Sequence, residues 1–195
     1  RAMVGALILA VLLAPPFWEL RAASAWTAEE IDQLLSDSPW AQRVEGPLAG
    51  GSVVVYLATA QPAREAEAEL LRRGLRPQPV EEPPSDEYRE FLRRNAGKVI
   101  VLAVRLPVMA AFGDEAELRR MEKESVLKVG RRKYRMTGHF PPTLADPCLR
   151  LAFPRDVDRQ EKTLRFQLYL PGVPSPYRWA EFRLREMGYR GQPAF

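Results

Sequence analysis

The sequence predicts an α+β fold: N-terminal helices and two central strands, then a C-terminal antiparallel β-sheet or sandwich-like layer. Three observations carry this reading. Cap residues followed by apolar side chains at helical spacing recur through the first 125 residues. Two continuous runs rich in Val, Ile and Leu, over 52–59 and 98–106, have the length and β-branched content of buried strands. From Ser125 onward the pattern changes to short stretches separated by turn residues.

The first helix is marked by Thr27 and Glu30 in capping-box spacing ahead of Ile31, Leu34 and Leu35, and it ends at Ser36, Asp37, Ser38 and Pro39. Residues 40–44 read as a first strand. The Val53–Val54–Val55–Tyr56–Leu57 run follows as a buried strand expected at the sheet's centre. Pro62 at a first-turn position opens a second helix that Gly74 closes. A strand feeding directly into a helix suggests half of a βαβ unit. Pro77, Pro79, Pro83 and Pro84 make 75–84 an extended connection, and Ser85 is read as the cap of a helix presenting Tyr88, Phe91 and Leu92. The strand 98–106 is expected beside 52–59. Asp114 and Glu117 stand in cap spacing before a short charged helix. Strands are then expected over 125–129, 132–137, 148–153, 163–170 and 177–186, the last two pairing across the loop from Pro171 to Pro176. Alternation is clearest there: Leu164, Phe166 and Leu168 face one way and Arg165, Gln167 and Tyr169 the other.

Ahead of the first helix, residues 2–14 hold only Gly5 besides apolar side chains. A bilayer core needs roughly 20 apolar residues, so this run fits the apolar region of a bacterial signal peptide and not a membrane span. Pro15 and Pro16 break it, and Ala23, Ser24 and Ala25 give the small-x-small pattern of a cleavage site. The expectation is a leader over 1–25 cleaved between Ala25 and Trp26, then one domain over 26–195 with a minor boundary near 75–84. The product would be periplasmic or secreted, with no membrane span after cleavage. Because the sequence opens on Arg1, it is read as a piece of a longer reading frame.

The chain carries 29 basic and 25 acidic residues, a net charge of +4 that falls to +3 once Arg1, Arg21 and Glu19 leave with the leader. That balance argues against a nucleic-acid binder. Arginine outnumbers lysine by 24 to 5, which reads as base composition and names no partner. Cys148 is alone, so no intrachain disulfide forms, and its apolar neighbour Leu149 makes it a buried thiol. One His and one Cys supply no metal-ligand set, and Gly-rich phosphate loops are absent, so no cofactor is expected. His139, with Asp146 or Asp156 as orienting acid, is the one weak catalytic candidate. Asp156 and Asp158 lack the rest of a calcium loop, and Glu81 and Glu82 stand in a Pro-rich connection. Arg131, Arg132, Lys133 and Arg135 form a basic run on an expected edge strand, where charge guards against edge pairing or meets an acidic partner.

Three stretches together are similar to a known group. Trp26, Thr27, Glu30, Ile31, Leu34, Leu35, Asp37, Ser38, Pro39, Trp40 and Ala41 form the first. Thr59, Ala60, Pro62, Arg64 and Ala66 form the second, and Phe182, Leu184, Met187, Tyr189 and Gly191 the third. With Phe153, Pro154 and Arg155 between them, they resemble a family of uncharacterised exported proteins from soil bacteria. The resemblance implies export and a common fold, and it brings no activity or site residues. Gln192, Pro193, Ala194 and Phe195 depart from the alternating strand with which that pattern ends.

Three functional readings follow. The first is a non-enzymatic exported binding or envelope-associated module, meeting an envelope protein or an anionic envelope polymer. The second is an extracytoplasmic hydrolase using His139 with a nearby acid. The third is a subunit of an envelope assembly docking through a strand edge.

Overall fold

The computed structural model describes residues 15–46, 51–75, 86–106, 112–143, 146–158, 160–173 and 175–195. The apolar run 2–14, Glu81, Glu82 and the expected cap Ser85 lie outside them. Five α-helices stand among the described residues: α1 (Phe17–Leu20), α2 (Ala28–Leu34), α3 (Gln61–Arg72), α4 (Asp86–Arg94) and α5 (Glu115–Glu124). The first strands are β1 (Ala41–Glu45), β2 (Ser52–Leu57), β3 (Val99–Arg105), β4 (Val126–Val129), β5 (Arg132–Arg135) and β6 (Gly138–Phe140). They are followed by β7 (Cys148–Pro154), β8 (Thr163–Tyr169), β9 (Tyr177–Arg183), β10 (Gly188–Tyr189) and β11 (Gln192–Pro193).

Two sheets form the body. One has the order β1-β2-β3-β7-β6 and the other β5-β4-β8-β9, and every pairing is antiparallel. The α+β class is therefore as the sequence predicts. Two details differ. The central strand of the larger sheet is β3, and β2 stands one place out. No βαβ unit forms, because β2 and β3 pair antiparallel, Leu57 opposite Leu102. Two helices, α3 and α4, separate these strands, so the chain leaves one end of the sheet and returns to it; a parallel neighbour needs a single crossover.

The larger sheet is buried on both faces, which explains its near-continuous apolar strands. On β7, Leu149, Leu151 and Phe153 point toward the second sheet, where the Phe153 ring meets Phe166 edge-on at 5.4 Å. Cys148, Arg150 and Ala152 point toward α3 and α4, where Tyr88 and Phe91 pack on Phe140 of β6 at 5.0 and 5.1 Å. The helix termini are built as their sequences require. Thr27 and Glu30 close the reciprocal capping box of α2, and Asp114 accepts from the Ala116 and Glu117 amides to start α5. Gly130, at φ 57°, lets β4 turn into β5 within two residues.

Residues 17–25, on the leader side of the expected cleavage point, pack on this core. Trp18 meets Trp40 edge-on at 5.6 Å and Phe17 meets Trp26 at 5.7 Å. Arg73 at the end of α3 donates to the carbonyls of Trp26, Ser24 and Ala23 at 2.7, 3.1 and 3.4 Å. The Glu19 carboxylate accepts the Arg190 amide at 3.0 Å. A chain starting at Trp26 keeps the Arg73 bond to the Trp26 carbonyl but forfeits the others, and should be less stable than one starting at Pro16 by roughly 2–3 kcal/mol, given two half-buried aromatic rings. Urea denaturation of the two forms measures the difference, and coincident curves would mean that the segment contributes nothing.

Candidate functional site

His139 lies on β6, a strand of three residues ahead of Pro141 and Pro142 that falls outside the strands expected from sequence, because so short a stretch beside a Pro-Pro pair carries little strand signal. It stands opposite Leu151, so it faces the second sheet, and its Nδ1 lies 3.3 Å from the Glu122 carboxylate of α5. Neither expected acid orients it: Asp146 pairs with Arg150, and Asp156 pairs with Arg132 and accepts from Tyr134. Cys148 points to the opposite face of the same sheet, its Sγ 3.5 Å from the Tyr56 hydroxyl. Burial pushes that thiol above its ordinary pKa, away from thiolate chemistry. The strand alternation of β7 thus separates the pair that sequence proximity placed together.

A polar network occupies the interface between the larger sheet and its helices. Arg150 is 2% exposed. It donates from Nε to Asp146, from Nη2 to Glu67 of α3 at 2.8 Å, and from Nη1 to the Tyr88 hydroxyl at 3.3 Å. Glu67 also accepts the Tyr56 hydroxyl at 2.7 Å. Burial works against the guanidinium charge, but Glu67, the Tyr56 and Tyr88 hydroxyls and Asp146 together outweigh it and hold Arg150 well above its ordinary value. Tyr88 is pushed up to about 12, chiefly by burial. This is a closed arrangement in which each charge has an opposite neighbour. The one sequence signal for it was an arginine inside the apolar run Cys148 to Phe153.

A different surface is open. In the second sheet, Leu127, Leu164, Phe166, Ala180 and Phe182 turn inward and are buried. The alternate residues form an outward face with two rows in register. One runs Trp179, Gln167, Val126, Arg135, and the next Glu181, Arg165, Lys128, Lys133. Trp179 is 58% exposed, the most exposed aromatic residue among those described, and stacks on Tyr177 at 6.1 Å and 23°. Helix α5 covers the far end of this face: Tyr169 donates to Glu117 at 2.8 Å, Tyr177 donates to Glu124, and Arg120 lies 4.6 Å above the Tyr169 ring. The expected basic run is divided by the strand's alternation. Lys133 and Arg135 are exposed, whereas Arg132 is held by Asp156 and Asp158 at 3.0 and 3.1 Å. The outward face adjoins a groove of about 1120 Å³ whose wall carries both signs of charge, Lys162, Arg183 and Arg185 against Asp158 and Glu161.

Among the described residues no group of three or more His, Cys, Asp or Glu side chains gathers to hold a metal ion, and no helix is long and apolar enough to cross a membrane. The class defined by this geometry is a two-sheet α+β protein with a helical layer on one side and a cationic, aromatic sheet face on the other. Comparison with family models, curated proteins and solved structures gives no match for this chain.

Replacing Arg150 by Met leaves Glu67 and Asp146 facing each other without a cation. The expected loss is about 3–5 kcal/mol of folding stability at neutral pH, measured by urea denaturation. A loss below about 1 kcal/mol would mean that the network is solvated and contributes little.

Proposed function

We propose that this chain is an exported binding module whose ligand is anionic and docks on the outward face of the β5-β4-β8-β9 sheet. The observation that carries the reading is the set of Lys128, Lys133, Arg135 and Arg165 around the exposed Trp179, with Glu181 the acidic member of the two rows. The Arg165 side chain, 61% exposed, pairs with Glu181 at 2.7 Å, so the net positive charge of the two rows rests on Lys128, Lys133 and Arg135. A concentration of one sign of charge on a flat surface raises the local density of oppositely charged partners. The apolar run 2–14 and the family resemblance support export. The packing of residues 17–25 supports retention of that segment in the working domain. The envelope-assembly reading uses the same face with an acidic protein as partner; the hydrolase reading rests on His139 and gains only the Glu122 contact.

On an immobilised polyanion such as dextran sulfate, the full chain should be retained at low salt and released as salt screens its charges. The double variant Lys133→Glu, Arg135→Glu should elute at markedly lower salt, with an unchanged circular dichroism spectrum. Equal elution of variant and parent would remove this face from consideration. Export is checked on its own by expressing the chain behind its native N-terminus in a bacterial host and weighing the periplasmic species. A protein confined to the cytoplasm would overturn the address.

A further inference from the structure

We infer that the ligand of the outward face is a linear acidic polysaccharide, lying with one sugar ring on Trp179 and its chain running past Arg165 and Arg183 into the groove at the sheet's end. This rests on the anion-binding reading above and adds the class of polymer and its path.

The aromatic surface argues for sugar. An exposed indole offers a broad apolar face with a polar edge, which suits the C–H face of a pyranose ring. Single-stranded nucleic acids are held by successive aromatic platforms, one for each stacked base. Here Tyr177 is half-buried, stacks on Trp179 and donates its hydroxyl to Glu124, so the two rings make one platform. The acceptors argue the same way. Glu181 stands in the row between Arg165 and the sheet edge, 2.7 Å from the guanidinium. A carboxylate there repels any anion, but it also accepts from hydroxyls, of which a sugar polymer carries several per unit and a phosphodiester chain few, while the neighbouring arginine donates to a sugar acid.

The path follows from the register. Trp179, Glu181 and Arg183 are successive outward residues of β9, and Arg183 also lines the groove with Lys162 and Arg185. From Trp179 to Arg183 is about 13 Å of strand at the usual rise per residue. Val157 and Phe195 add apolar lining at the groove, where Lys162, Arg183 and Arg185 share the wall with Asp158 and Glu161, two carboxylates paired with Arg132. The chain of contacts is therefore continuous: one aromatic platform, a line of guanidinium groups, then a groove whose wall combines apolar, cationic and Arg132-paired acidic side chains. Arg165, Arg183 and Arg185 side chains are 61%, 59% and 79% exposed; Arg165 pairs with Glu181 and the other two share Glu186, surface contacts weak enough for a polymer's carboxylates to exchange.

The test titrates the full chain with oligogalacturonates of two to eight units while following tryptophan fluorescence and heat. Affinity should rise at least tenfold from two units to about five and then level. Trp179→Ala should weaken every length at least tenfold, and Arg185→Glu should weaken only the longer oligomers, several-fold. Both side chains are exposed, so neither change threatens the fold. Affinity that follows charge alone, or that Trp179→Ala leaves unchanged while dextran sulfate still binds, overturns the polysaccharide and leaves the anion-binding reading standing. Tighter binding of oligothymidylate than of an oligouronate of equal charge also overturns it, in favour of a nucleic acid. No binding of any polyanion overturns both.

Discussion

Arg150 places a permanent charge in a strand whose other side chains, from Cys148 to Pro154, are uncharged, and the surrounding architecture has to answer it. A guanidinium at 2% exposure keeps its charge only when opposite charges and hydrogen-bond acceptors reach it inside the protein. Glu67 comes from α3, Asp146 from just ahead of β7, and the Tyr88 hydroxyl from α4. One residue of the sheet is thereby bound to both covering helices. That layer cannot slide without breaking a buried pair, so the arrangement fixes position as well as contributing contact.

The other face of the same sheet is held by a different kind of contact. Leu149, Leu151 and Phe153 meet the inward apolar side chains of the second sheet, a packing that area and shape govern. Where the two sheets meet at their edges, the Gln42 amide donates to the Glu181 carbonyl at 2.9 Å and ties β1 to β9. Arg178, buried at the end of β9, reaches the Gly51 carbonyl at 3.3 Å and lies so close to Gly46 that a Cβ there would stand 2.6 Å from the guanidinium carbon. Both devices act at β9, the strand that carries Trp179, so the strand bearing the exposed ring is anchored to the rigid sheet.

Packing leaves one sheet face open among the described residues. The larger sheet is covered on both faces, and the charges beneath its helices are mutually satisfied. The smaller sheet is covered on its inner face and at one end of its outer face by α5. Its remaining outer area is flat and cationic and holds one exposed indole, which is a surface suited to binding along a length.

Local rules of the chain alone determined much of this protein. Capping at Thr27 and Asp114, the β-branched runs of β2 and β3, the hairpin around residues 171–176 and the alternation of β8 and β9 were legible because each depends on neighbours within a few residues. That alternation also told which side chains of β8 and β9 share a face, so Trp179, Glu181 and Arg183 were legible as a set. Tertiary structure decided the rest. The antiparallel pairing of β2 with β3, the separation of His139 from Cys148, the gathering of Glu67, Tyr88 and Asp146 around Arg150, and the packing of residues 17–25 on Trp40 all join segments far apart in sequence. No local propensity encodes such partners, because they are chosen by which surfaces remain to be buried once the elements have formed.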